Sequence, residues 1–196
     1  MVTAMPSRIE LMAQSTAPIS AQPYFANGDP GPLVAAWAQV PELLSVTLPF
    51  VGAVLGPSSL GVRPKELCIL RTSAVLACRY CVETHTEVAL DVGLELDEVR
   101  ALRGDIGVES AFDEPAELAL LAWIDAVALG PGEPSDDLTA EMHRHWRDFE
   151  IMELTLLVAT TVMLNRFATS LQLPTNPNTL SRLAELGFSR DPTETP

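Results

Sequence analysis

The chain has 196 residues, of which 47% are apolar and 19% are charged. This composition is too hydrophobic for a disordered chain and suits one globular domain. Its 12 basic residues against 26 acidic ones give a formal charge of −14, which would repel phosphate backbones and anionic lipid headgroups. We therefore expect no nucleic-acid partner and no membrane partner.

The first third of the chain is predicted to hold an arm and two helices. Residues 1–32 are rich in Pro, Ala and Ser, which is typical of an arm, and such an arm can clasp a neighbouring subunit. Helices are predicted at 33–40 and 42–55, with Pro49 expected to kink or split the second one. Residues 56–63 are then a predicted loop.

The central segment is predicted to be one long helix. Pro64 suits a first turn, and apolar residues at helical spacing continue to about Val92, before Gly93. Further helices are predicted at 96–103, after Asp113 as far as the turn at 130–132, at 138–146 and at 149–171, with a short helical piece beyond. Because no strand, glycine-rich phosphate loop or repeat is evident, the predicted fold class is all-α.

The cysteine content and the apolar segments indicate a cytoplasmic protein. Three cysteines are too few for a disulfide framework, and no apolar run of signal-peptide length precedes the polar stretch 14–20. The most apolar segment, residues 151–164, contains Glu153 and is followed by Arg166, so it is shorter than the roughly 20 residues that span a bilayer. A buried core helix is the better interpretation.

Cys78, Cys81 and His85 form the most reactive pattern in the chain. At about 100° per residue, Cys81 lies about 60° and His85 about 20° from Cys78, so the three share one helical face. Cysteines three apart on a helix can interconvert between dithiol and disulfide without unfolding. His85 is one turn beyond Cys81 and can take its proton, which makes Cys81 the predicted attacking and more acidic thiol and Cys78 the resolving one. A helix N-terminus near Cys78 would lower the pKa of that thiol and could reverse the order.

Glu66 can join this pattern only under one structural condition. It lies 12 residues before Cys78, about 18 Å away along a straight helix. The carboxylate can reach His85 only if the helix breaks near Ala77 and folds back. Otherwise a glutamate just after Pro64 simply complements the helix dipole.

Two buried structural cysteines, or a zinc site, are the alternatives for the cysteine pair. Tetrahedral zinc needs a fourth ligand, and neither Cys68 nor His143 is placed to supply it. Cys68 lies among apolar residues and is predicted to be a core residue. His143 and His145 are predicted to be solvated, so we predict no metal and no cofactor.

The order Glu66, eleven residues, Cys78-x-x-Cys81, three residues, His85 resembles the alkylhydroperoxidase D-like (AhpD-like) branch of the carboxymuconolactone decarboxylase family. The resemblance implies an all-helical bundle that assembles as a homo-oligomer, commonly a trimer or a multiple of trimers, and reduces hydroperoxides. Cys81 would become a sulfenic acid, Cys78 would condense with it, and Glu66 with His85 would relay the proton. A lipoylated or thioredoxin-like protein would then reduce the disulfide.

The resemblance covers residues 33–172, which are predicted to form a single helical domain, with 173–196 as a C-terminal extension. Three further runs look like the family's flanking pattern: residues 63–67, 153–155 and 165–166. The best-known members have a histidine immediately before the second cysteine, where this chain has Tyr80. Since a phenol is a poor general base near neutrality, weak peroxidase activity is expected.

Two other functions stay open at the level of sequence. One is a non-redox lyase of the carboxymuconolactone decarboxylase kind, which should survive loss of both cysteines. The other is a non-enzymatic oligomer that senses redox state, in which the disulfide changes packing without rapid turnover.

Overall fold

In the computed structural model, which describes residues 7–188, every regular element is helical. The α-helices are α1 (Pro32–Trp37), α2 (Pro41–Leu55), α3 (Val62–Val75), α4 (Arg79–Asp91), α5 (Leu96–Arg103), α6 (Pro115–Ala128), α7 (Asp136–His145), α8 (Asp148–Leu171) and α9 (Pro177–Glu185). Short 3-10 turns occur at Gln22–Phe25 and Val108–Ser110. The all-α prediction is confirmed over the described residues.

The core is built around α3, which packs against α4, α5, α6 and α8. Leu67 and Leu70 of α3 are completely buried, as are Leu154, Leu157 and Val158 of α8. Removing such a side chain from water stabilises the fold by about 1.5–3 kcal/mol. The two helices therefore form the fixed frame on which the other helices are placed.

The longest helix, α8, is long and apolar enough to cross a membrane by length and composition alone. It packs against α2, α3, α4 and α6, and the side chains of its inner face are buried in the protein. The predicted core helix in this region is confirmed.

The predicted long helix through the cysteines is wrong, because the chain breaks between α3 and α4. Ala77 has a φ of 52°, in the left-handed region. Its N–H donates to the carbonyl of Ala74 at 2.9 Å, and the N–H of Cys78 donates to that of Ser73 at 3.0 Å. This is a Schellman ending, which normally has glycine at the left-handed position. An alanine there gives no sequence signal for a break.

Of the two effects predicted for Pro49, a kink or a split, the structure contradicts the split. Pro49 lies inside α2, which continues without interruption to Leu55, so the expected split is absent. The remaining predicted helices agree with the observed ones to within a few residues at each end, apart from α1, which ends at Trp37.

From residue 7 onward, the N-terminal arm folds back over its own chain; residues 1–6 of the predicted arm and 189–196 of the predicted extension lie outside the described residues. The N–H of Arg8 donates to the carbonyl of Leu171 at 2.9 Å, at the end of α8, and the N–H of Met12 donates to that of Ala35 in α1 at 3.2 Å. The arm is thereby held against two helices of the same subunit. Its contact with a neighbouring subunit stays a prediction, as do the domain boundaries.

Candidate active site

The break at Ala77 brings Glu66 and His85 together. Nδ1 of His85 lies 3.0 Å from Oε2 of Glu66, whose side chain is only 8% exposed. The condition that the sequence sets for Glu66 is therefore met in the structure. Because a carboxylate can only accept, Nδ1 of a neutral His85 carries the hydrogen, which leaves Nε2 as the free basic nitrogen.

Cys78 and Cys81 are free thiols whose sulfur atoms are 2.8 Å apart. Cys78 is the N-cap residue of α4, and Cys81 lies in the first turn. Both are buried, with no exposure of Cys78 and 7% exposure of Cys81. At this separation either thiol can donate a hydrogen bond to the other, so one proton and one negative charge can be shared by the pair.

The electrostatics place the first negative charge on Cys78. The pKa of Cys78 is lowered to about 6, chiefly by a hydrogen bond from Cys81 and against the opposing effect of burial. The Thr169 hydroxyl, the backbone N–H of Cys81 and the nearby His85 contribute to the same lowering. The pKa of Cys81 is raised, first by its hydrogen bond to Cys78 and then by burial.

This order reverses the expectation that Cys81 is the more acidic thiol. The largest cause is the hydrogen bond that the Cys81 thiol donates to Cys78. The helix break acts in the same direction, because it makes Cys78 the N-cap of α4, where the backbone N–H of Cys81 favours negative charge.

A small apolar cluster, separate from the main core, surrounds the pair. Its buried members are Ala36, Cys78, Cys81, Ala168 and Leu173. From the arm, Ile9 and Leu11 pack against it, and Tyr80 does so from α4. The low dielectric of such surroundings strengthens the interactions within the pair.

Tyr80, at the position of the family's histidine, is a neutral hydrogen-bond donor. Burial raises its pKa to about 12, and the negative charges of Cys81 and Cys78 raise it in the same direction. A hydrogen bond with Thr84 opposes this shift. Tyr80 therefore offers an O–H beside the pair and takes no part as a base near neutrality.

Two supporting contacts were missed by sequence reasoning. The first is made by Lys65, which is 3% exposed. Its Nζ donates to the carbonyl of Gly56 at 2.6 Å and lies 3.0 Å from Oε1 of Glu153. It ties the end of α2 and α8 to α3 next to Glu66. The only signal for it was that two of the family-like runs contain these residues.

The second contact is made by the buried Asn165 of α8. Its Nδ2 donates to the carbonyl of Thr161 at 2.6 Å and to Oγ of Ser73 at 3.3 Å. The carbonyl of Ser73 in turn accepts the N–H of Cys78 in the Schellman ending. Asn165 therefore links α8 to the last turn of α3, just before the helix break.

The remaining cysteine and the two other histidines lie away from the cysteine pair. Cys68 is completely buried in the main core, and burial raises its pKa, so the prediction of a core residue is confirmed. His143 and His145 are solvated, as predicted, beside Asp148 and Glu141 respectively. Within residues 7–188 no group of three or more His, Cys, Asp or Glu side chains is arranged to hold a metal ion.

Known proteins resemble the chain in sequence over its middle part and in fold over most of its length. Residues 41–126 match the model of the carboxymuconolactone decarboxylase family. No curated protein sequence matches the chain. A solved protein of unknown function from Agrobacterium tumefaciens, described as a candidate antioxidant defence protein AhpD, is 27% identical. The match covers 67% of this chain and 92% of that one, with a TM-score of 0.60.

More complete structural matches have lower identity. An uncharacterised peroxidase-related protein from Ralstonia eutropha JMP134, with an alkylhydroperoxidase AhpD core, is 17% identical. It matches over 90% of this chain and 96% of its own, with a TM-score of 0.78. The debrominase Bmp8, solved with 2,3,4-tribromopyrrole, is 18% identical over 94% of this chain and all of its own, with a TM-score of 0.74.

The helical architecture defines the chain as a protein of the AhpD-like fold. Residues 41–126 also match the carboxymuconolactone decarboxylase family model, so the chain is similar to the AhpD-like members of that family in sequence as well as in fold. A debrominase among its structural neighbours shows that functions vary on this fold.

Proposed function

We propose that the chain is a thiol-dependent peroxidase of the cytoplasm, which reduces hydroperoxides through Cys78 and Cys81. The observation that carries the proposal is the contact of His85 with Glu66, one helical turn beyond a cysteine pair that shares one negative charge. A basic nitrogen, an ionised thiol and a second thiol within reach are the parts that peroxide reduction requires.

The first step is attack by Cys81. Nε2 of His85 first takes the proton of Cys78, which leaves the negative charge on Cys78, and a proton shift between the two sulfurs, 2.8 Å apart, then moves this charge to Cys81. Cys81 is the partly exposed member and lies one turn from His85. Its thiolate attacks the terminal peroxide oxygen, the O–O bond breaks, and protonated His85 gives its proton to the leaving alkoxide. The products are a sulfenic acid on Cys81 and an alcohol.

The second step closes the disulfide. His85, now neutral and held by Glu66, takes the proton of Cys78. The Cys78 thiolate attacks the sulfenic sulfur of Cys81, and the released hydroxide takes up that proton and leaves as water. The net change is one hydroperoxide and two thiols to one alcohol, one water and one disulfide. A lipoylated or thioredoxin-like protein supplies the two electrons that restore the dithiol.

We further propose that the subunit works as a homo-oligomer, a trimer or a multiple of trimers. Exposed apolar side chains follow one another along two helices that pack together: Leu43, Val46 and Phe50 on α2, and Met152, Leu156 and Met163 on α8. A shared apolar face of this kind is typical of a subunit interface.

The test is turnover in matched cysteine variants. Consumption of cumene hydroperoxide with dihydrolipoamide as reductant should be abolished in Cys81→Ser and Cys78→Ser and retained in Cys68→Ser. A single addition of peroxide should leave a trappable sulfenic acid on Cys81 in Cys78→Ser only. Equal turnover in Cys81→Ser and the parent would refute the proposal.

Two controls separate the other functions. Decarboxylation of a lactone that survives in both cysteine variants would identify a lyase. Slow peroxide reaction together with a redox-dependent change in oligomer size would identify a sensor. 2,3,4-Tribromopyrrole, offered in place of the peroxide, tests whether the same dithiol removes bromide instead.

A further inference from the structure

A cleft of about 800 Å³ lies beside the cysteine pair. One wall is the arm, through residues 11–14 and 28–32. The second wall is α4, through Tyr80 and Thr84, and the third is the segment 174–177, which leads into α9. The size falls within the range of small-molecule sites.

The third wall is fastened to the helix that carries the pair. The hydroxyl of Thr175 donates to Glu83 of α4. One turn further on, Thr179 donates to Glu87 at 2.7 Å, and Arg182 donates to the same carboxylate at 3.0 Å. The cleft therefore keeps its shape relative to α4.

The cleft is an addition to the family's matched segment. Of its lining residues, only Tyr80 and Thr84 lie within residues 41–126. All the others come from the arm and α1 on one side or from the C-terminal extension on the other. These segments can therefore determine which ligand binds beside a thiol motif that other proteins share.

The cleft and the cysteine pair are divided by two side chains. Leu11 and Tyr80 line the cleft and also pack against the cluster that contains Cys78 and Cys81. A molecule in the cleft would therefore have one end beside the Tyr80 side chain, which lies between that end and the two sulfur atoms. Leu11 belongs to the arm, so a small displacement of the arm would open the remaining path.

The lining residues disfavour a negatively charged ligand. No lysine or arginine lines the cleft, and the acidic Asp29 does. Oδ1 of Asp29 accepts the N–H of Gly31 at 2.9 Å, which fixes the carboxylate in place. Much of the remaining lining is apolar, including Leu11, Met12, Phe25 and four prolines. An anionic ligand would find no cation to neutralise it in a chain of charge −14.

We infer that this cleft is the substrate site and that it takes a neutral, largely apolar hydroperoxide, held through the Tyr80 hydroxyl, while excluding anionic ones. The identity of the ligand as a hydroperoxide rests on the proposed function. The location of the site and its preference for neutral ligands rest on the cleft alone.

Binding of two matched, unreactive probes tests the inference on the full reduced chain. 4-Isopropylbenzyl alcohol is neutral, whereas 4-isopropylbenzoate has the same apolar body and a carboxylate. Titration at pH 7, followed by calorimetry or NMR, should show binding of the alcohol and at least about tenfold weaker binding of the carboxylate. Equal affinity for the two, or no binding of the alcohol, would overturn the inference.

Three variants locate the binding. Tyr80→Phe should weaken the alcohol about fivefold through loss of one hydrogen bond, whereas Tyr24→Phe, outside the cleft lining, should leave it unchanged. Asp29→Asn keeps an acceptor for Gly31 but removes the negative charge. It should reduce the ratio of the affinities for the alcohol and the carboxylate about threefold or more. Affinities that do not respond to Tyr80→Phe and Asp29→Asn would place the ligand elsewhere and refute the assignment.

The two proposals fail in different ways. Probe binding needs no turnover, so a chain that binds the alcohol in the cleft but consumes no peroxide would refute the peroxidase and keep the neutral-ligand site. A chain that consumes peroxide in a Cys81-dependent way without binding the alcohol would keep the peroxidase and refute the cleft.

Discussion

His85 and Glu66 are 19 residues apart in sequence, and Nδ1 of the first lies 3.0 Å from Oε2 of the second. A carboxylate on Nδ1 fixes the tautomer and the orientation of the imidazole, and it stabilises the imidazolium that forms when the ring accepts a proton. The helix break at Ala77 is what turns α4 back so that this contact can form.

Glu66→Gln should slow peroxide reduction about tenfold to a hundredfold, because the amide keeps the shape but no longer stabilises protonated His85. The measurement is kcat/KM for cumene hydroperoxide with dihydrolipoamide. Glu42→Gln, an exposed glutamate in the first turn of α2, serves as the matched control and should change the rate less than about twofold. Equal rates in the two variants would remove Glu66 from the relay.

The acidity of Cys78, whose side chain is completely buried, should be visible in the ultraviolet absorbance of its thiolate. The pKa of Cys78 is lowered to about 6, so the thiolate absorbance should rise with pH through a midpoint near 6 and level off above it. In Cys78→Ser this inflection should disappear. In Cys81→Ala it should move upward, since alanine removes the thiol donor that contributes most to the shift. A midpoint near 6 that persists in Cys78→Ser would assign the first thiolate to Cys81.

Ala77 holds the turn in a conformation that suits glycine. Ala77→Gly should leave stability unchanged or raise it by up to about 1 kcal/mol, since relief of the left-handed strain is offset by the flexibility of glycine in the unfolded chain. Ala77→Val should destabilise by about 1–2 kcal/mol or more and reduce turnover, because the turn that places Glu66 beside His85 is disfavoured. Urea unfolding measures both, and a valine variant as stable as the parent would contradict the role given to this turn.

Much of the helical framework could be predicted from local patterns. The helix α5 has its predicted ends, where a left-handed glycine follows it, and α8 agrees to within one residue at its start. The shared face of Cys81 and His85 follows from helical spacing within α4. The contact of Glu66 with His85 could be predicted only on the condition that the helix breaks near Ala77.

What could not be predicted depends on long-range contacts or on strain. Alanine favours helix, so Ala77 gives no sign of the break that in turn makes Cys78 the N-cap and the more acidic thiol. The ion pair of Lys65 with Glu153 and the packing of Leu11 with the cysteine cluster join segments distant in sequence. Periodicity carries no information about such pairings.

Lys65 should matter for stability far more than an exposed basic residue. Its buried ammonium group donates to the carbonyls of Val54 and Gly56 and pairs with the carboxylate of Glu153, so Lys65→Met leaves the two carbonyls without this donor and the carboxylate without its cation. We expect a loss of about 2–4 kcal/mol in the free energy of unfolding, measured with urea. Arg100→Met breaks the exposed pair with Asp97 and should cost less than about 1 kcal/mol. If both variants lost equally little, Lys65 would not hold α2 and α8 in place beside Glu66.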